Sequence, residues 1–141
     1  MRDFDPTLQT WLSNFLRESG AIAGTVHLHE NGGLRLAAAV NIPAHVQEVV
    51  AWVPFGKGMA GLALERGESV QTCNLQEDPS GAVKPGAKAV NAHAAVAIPV
   101  TDGAGHIIAI VGAAFPWEGE IQGEELLKLE HATASLLNSV T

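Results

Sequence analysis

The sequence predicts an α+β fold: a central antiparallel sheet of five or six strands, with terminal helices on one face and short helices plus a long loop on the other. Two hairpins support this reading. In the first, "AIAGTVHLHE" and "LRLAAAV" flank the turn Asn31-Gly32-Gly33; in the second, "HAAVAIPV" and "HIIAIVGAAF" flank "TDGAG". Apolar residues at helical spacing near both ends supply a second layer. The order helix, hairpin, helices, strand, loop, hairpin, helix does not alternate strand with helix, which disfavours a doubly wound parallel sheet.

The first helix spans 6–19. Asp5 is placed to cap it, Pro6 occupies the first turn where a missing donor costs nothing, and Gly20 suits a left-handed stop. Leu8, Trp11, Leu12, Phe15 and Leu16 form its buried face. In the first strand Ile22, Val26 and Leu28 point one way, and Ala21, Ala23, Thr25, His27 and His29 the other. Pro43 opens a second helix, "PAHVQEVVAW", which "VVAWVPF" continues to Pro54; "GMAGLALERG" is a third, closed by Gly67. "SVQTCNL" reads as a short strand. "QEDPSGAVKPGAKAVNA" is a long Gly/Pro-rich loop, a feature uncommon in compact domains and often functional. The last strand is apolar on both faces and therefore central. A final helix from Gln122 to Val140 places Leu126, Leu129, Thr133, Leu136, Leu137 and Val140 on one side, with Glu124 and Glu125 favourably near its N-terminus.

With 141 residues, 47% hydrophobic and 16% charged, the chain suits one domain over 1–141, large enough to bury an ordinary core. A net charge of −7 with only 8 Lys and Arg argues against nucleic acid. Cys73 is the sole cysteine, so no intramolecular disulfide forms and a reducing cytoplasm is the expected compartment. The N-terminus lacks the pattern of a secretory signal, and no apolar run reaches the ~18–20 residues of a membrane span.

"FGKGMAGLA" raises the question of phosphate binding. A Walker loop needs G-x-x-x-x-G-K-[ST]; here Met59 stands in the hydroxyl position and no glycine lies five residues before Gly56. Gly56, Gly58 and Gly61 match G-x-G-x-x-G spacing, yet they follow an expected helix instead of a strand, so a dinucleotide site is not indicated.

"VPFGKGMAGLALERGESVQTCNLQEDP" followed by "AAVAIPVTDGAGHIIAIVGAAF" resembles the GAF domain family, over nearly the whole chain from Phe4 to Val140. The resemblance implies a G-x-G loop turning sharply into the helix that roofs a ligand cavity, so Gly56 and Gly58 read as a hinge. An anionic group at that helix N-terminus, beside Lys57, is the lesser alternative. Family members bind cyclic nucleotides, haem, bilins, non-haem iron or small metabolites, and one branch reduces free methionine-(R)-sulfoxide. The N-K-x-x-F-x-x-x-D-E signature of the cyclic-nucleotide branch is absent, and Cys73 is misplaced for bilin attachment. The chain is similar in size and loop sequence to the reductases, but Ala60 replaces their loop cysteine and the segment before the next strand has none, so no resolving thiol faces Cys73.

His27 and His29, at i, i+2 on one strand face, could ligate a metal with His93 and Asp78, but no C-x-x-C, H-x-x-x-H or H-E-x-x-H supports one. No metal site and no catalytic residue is assigned, and the cofactor is unknown. Small residues Ala21, Ala23, Thr25, His27, Ala95, Ala97, Ala109 and Ala113 are expected to share a face, where they either let a helix pack closely or leave a cavity. Thr25, His27, Trp52, Phe55, Met59, Asp78, His93 and Ala95 are the candidate ligand-binding residues, with Trp52, Phe55 and Met59 as an apolar lid. The alternative is that these aromatics fill the space. The resemblance implies a cytoplasmic small-molecule sensor, a homodimer through its terminal helices, that signals through a protein partner. Two rivals remain: a divergent sulfoxide reductase using Cys73, and an interaction module with a filled pocket.

Overall fold

The computed structural model describes residues 4–72 and 93–140. Its first helix, α1 (Pro6–Ser19), begins as expected: Asp5 Oδ1 accepts from the amides of Thr7 and Leu8 at 2.9 and 3.1 Å, and Gly20 ends the helix at φ 80°. The strands are β1 (Ala23–Glu30), β2 (Gly33–Val40), β3 (Trp52–Pro54), β4 (Val70–Thr72), β5 (Ala95–Thr101) and β6 (Ile107–Ala114). They form one antiparallel sheet in the order β3-β2-β1-β6-β5-β4, with the doubly apolar β6 in the middle. Asn31 and Gly32, both at positive φ, close the β1–β2 hairpin in the two-residue turn that an Asn-Gly pair favours.

Two helices cover one face: α1 and α4 (Gly123–Ala134), the latter followed by the short α5 (Leu137–Val140). Leu8, Leu12 and Leu16 of α1 pack there with Val26, Val96, Val111 and Leu129. Gln9 also stitches α1 to the sheet. Its side-chain amide donates to the Ala39 carbonyl at 2.6 Å, and the Ala39 amide donates back to Gln9 Oε1 at 3.1 Å. These bonds cover the part of β2 that β3, paired only with Gly33–Arg35, leaves without a neighbouring strand. On the other face lie α2 (Ala44–Val49) and α3 (Gly58–Arg66), with Leu64, Val70, Ala97 and Ile110 in a second buried cluster.

Three expectations are corrected. The second helix stops at Val49, and Trp52–Pro54, read as its continuation, is the edge strand β3; Val53, paired with Leu34, buries its side chain there. The C-terminal helix is broken at Ser135 and Leu136. Ser135 Oγ donates to the Ala132 carbonyl and accepts from Trp11 Nε1, while Leu136 is fully buried. Ala21, Ala109 and Ala113 join the helix-side core instead of the opposite face. The pairs Ala95↔Ala114 and Ala97↔Gly112 put the even-numbered residues of β6 with Ala95 and Ala97, and a shift of one position exchanges faces.

Candidate functional site

Between the sheet and the short helices lies a cavity of about 150 Å³. Small residues make its floor: Ala23 and Thr25 from β1, Ala95 and Ala97 from β5, Gly112 and Ala114 from β6. Ile42, then Val46 and Val50 one helical turn apart, form one wall, and Met59 with Ala60 of α3 another. The small floor is what leaves the space open, since the facing helices are held off by the larger side chains of the adjacent cluster.

His27 is 3% exposed, lines the cavity, and places Nε2 2.8 Å from the Val50 carbonyl oxygen. A carbonyl only accepts, so Nε2 carries the proton and donates; in the neutral ring Nδ1 is then the acceptor nitrogen. The bond ties the central sheet to the end of α2, and so to the cavity wall. A bulge between Val26 and His27 in the β1–β2 pairing lets Ala37 and Ala38 both enter the helix-side core while Leu36 remains opposite His27.

The glycine loop turns the chain sharply from β3 into α3. The Gly56 amide donates to the Gly61 carbonyl at 3.0 Å and the Lys57 amide to the Pro54 carbonyl at 3.0 Å, so both amides are used within the loop. Gly56 and Gly58 have φ of 80° and 65°, a region that disfavours side chains. A Cβ on Gly61 would lie 2.6 Å from the Pro54 carbonyl oxygen. Lys57, at the cap position of α3, makes no side-chain cap bond.

Thr25, His27, Met59 and Ala95 therefore meet at the cavity, while other candidates do not. Trp52 is 44% exposed: β3 alternates, so Val53 faces the cavity and Trp52 the opposite side, its ring lying over Gly33. Phe55 is 53% exposed in the turn before α3 and is no lid. His93 lies just before β5, half-exposed, with Nδ1 3.8 Å from Glu118 Oε1 and its amide bonded to the Phe115 carbonyl. His29 is exposed, and its Nδ1 sits 2.9 Å from the Ile107 carbonyl. Asp78 and Cys73 lie outside the described residues. Among the described residues, no three His, Cys, Asp or Glu side chains gather as a metal site. The wall residues missed were Ile42, Val46, Val50, Val53 and Ala60; the i, i+4 spacing of Val46 and Val50 was the available signal.

The family model for the GAF domain matches residues 2–135. This chain belongs to the GAF domain family. Its six-stranded sheet with helices on both faces is that family's architecture, as the resemblance implied. Among solved structures, the type II free methionine-R-sulfoxide reductase from Thermoplasma acidophilum is 18% identical, with 93% of this chain and 89% of that one covered at a TM-score of 0.70. The nlh2 GAF domain of A. aeolicus in an inactive state is 19% identical, covering 99% and 84% at 0.69. The GAF domain/HD domain protein from Geobacter sulfurreducens is 11% identical, covering 95% and 89% at 0.74. At these identities the likeness establishes the GAF fold and no activity. No curated protein matches the chain by sequence. Among the described residues, no helix is long and apolar enough to cross a membrane.

Proposed function

We propose that this GAF domain is a sensory or regulatory module that binds a small molecule in the cavity above Ala95, Ala97 and Gly112 and signals through a protein partner. The observation that supports it most is the open space of about 150 Å³, lined almost wholly by apolar side chains, between the sheet and the short helices. Natural cores leave few such spaces, because unfilled volume forfeits contacts and destabilises. One wall is a short helix, α2, whose Pro43 cap position makes no side-chain bond and whose end His27 ties to the sheet. A ligand against Val46 and Val50 would press on that helix directly. Homodimerisation through the terminal helices and a cytoplasmic location belong to the same proposal.

Native mass spectrometry of the purified chain, set against its denatured mass, tests this first. Extra mass that departs on denaturation is the expected result, and thermal shifts with metabolite pools should identify its class. A clean apo mass together with no shift from any pool would sink the sensor reading in favour of an interaction module. Sulfoxide turnover that disappears in Cys73→Ser would replace it with the reductase reading.

A further inference from the structure

The cavity restricts its own occupant. Its volume matches that of apolar cavities that hold benzene, so a single-ring compound fits. Among the described residues its walls contain no carboxylate, ammonium or guanidinium group. Against these described residues an ionised ligand would lose its hydration with no opposite charge in return, whereas a neutral ring exchanges water for methyl and methylene surface. The zwitterion of a free amino acid would meet that penalty twice.

Beside His27, the Thr25 hydroxyl is the polar side chain among the described lining residues, and it gives the site an orientation. Gly112 stands opposite Thr25 in the β1–β6 pairing, and a Cβ on Gly112 would lie 2.7 Å from Thr25 Oγ1. The absent side chain leaves room beside the hydroxyl, on the cavity floor. His27, by contrast, has committed Nε2 to the Val50 carbonyl. We infer that the cavity selects a neutral, largely apolar molecule of single-ring size, whose one hydrogen-bonding group is set against the Thr25 hydroxyl. This rests on the reading of the cavity as a ligand site and narrows it to a chemical class.

Benzyl alcohol, benzylammonium and benzoate have nearly the same shape and differ in charge at neutral pH. Their binding to the full chain, followed by ligand-observed NMR and thermal shift, tests the inference, with toluene as the ring lacking a polar group. Benzyl alcohol should bind at least about tenfold more tightly than either ion. Thr25→Val should weaken benzyl alcohol and leave toluene unchanged. Ala97→Leu should abolish both by filling the space, and Gly112→Ala, a gentler change, should weaken benzyl alcohol if the larger variant does not fold. Equal or tighter binding of an ion would overturn the neutral-ligand inference while leaving the cavity a ligand site. An unchanged benzyl alcohol affinity in Thr25→Val would overturn the role of the hydroxyl. Failure of all four probes to bind the wild-type chain would overturn this inference, while the sensor reading stands or falls on the native mass and the metabolite pools.

Discussion

The two faces of the sheet are built from alternate residues of the same strands, yet they differ in kind. On the helix side, Leu8, Leu12 and Leu16 interlock with Val26, Val96 and Val111, each nearly or fully buried. On the other side the same strands present Ala23, Ala95, Ala97, Gly112 and Ala114, and a cavity remains above them. Beneath α1 the sheet secures the fold with large side chains in contact; above Ala95, Ala97 and Gly112 it gives up packing for space. Binding and stability are thus assigned to opposite surfaces one residue apart in sequence.

The largest effect is expected from cutting into the filled face. Leu12 is fully buried, and Leu12→Ala should destabilise by about 2–5 kcal/mol in denaturant titration, because surrounding side chains cannot collapse fully into the space it leaves. Probe binding on the far side should persist as long as the variant folds. A loss below about 1 kcal/mol would mean that the helix-side packing is loose and the contrast between faces false.

A glycine pair sharpens the comparison, since Gly24 and Gly112 are neighbours in the sheet but face opposite ways. A Cβ on Gly24 would lie 2.7 Å from the Gly112 carbonyl oxygen and 2.8 Å from a Leu16 methyl. The backbone atom cannot move aside, so Gly24→Ala should cost about 1–3 kcal/mol. At Gly112 the added carbon meets only the Thr25 hydroxyl, the end of a rotatable side chain, and otherwise enters the cavity. Gly112→Ala should therefore cost less than Gly24→Ala, because a hydroxyl can turn aside where a backbone carbonyl cannot. Equal destabilisation by both substitutions, measured in the same titration, would show the cavity floor to be as closely packed as the helix side.

How much of this could be read from sequence also divides by face. The helix-side contacts were legible because α1 alternates apolar and polar residues at helical spacing between Asp5 and Gly20. The hairpins were legible from Asn31-Gly32 and from the turn at Asp102. Thr25 and His27 were placed on the cavity side by the alternation of β1, which carries polar residues that fix its parity. β6 offers no such marker. "IIAIVGAA" is apolar throughout, so Ala109 and Ala113 could not be told from Gly112 and Ala114, and the register with β5 decided it. Trp52 and Phe55 failed for a different reason. Whether an aromatic faces a cavity or solvent depended on β3, a strand of three residues and too short to show a period.

The smallest effect is expected outside both faces, in the β5–β6 turn. Asp102 Oδ1 accepts from the amides of Ala104 and His106 at 2.9 and 3.0 Å. These bonds, chiefly the one from His106, hold its carboxyl below the ordinary value of 3.8. A carboxyl whose folded pKa is depressed contributes stability that is complete above its unfolded pKa and lost as pH falls through the folded one. Replacing Asp102 with alanine should therefore lower stability slightly near neutral pH, and the gap from wild type should close as the pH drops below 3.8. Probe binding should not change in this variant, because the turn touches neither the cavity floor nor its roof. A gap that stays constant with pH would show that the turn is held by its backbone alone. A change in probe binding would show that the cavity responds to the far end of its hairpin, and the separation between the binding face and the rest of the sheet would then have to be withdrawn.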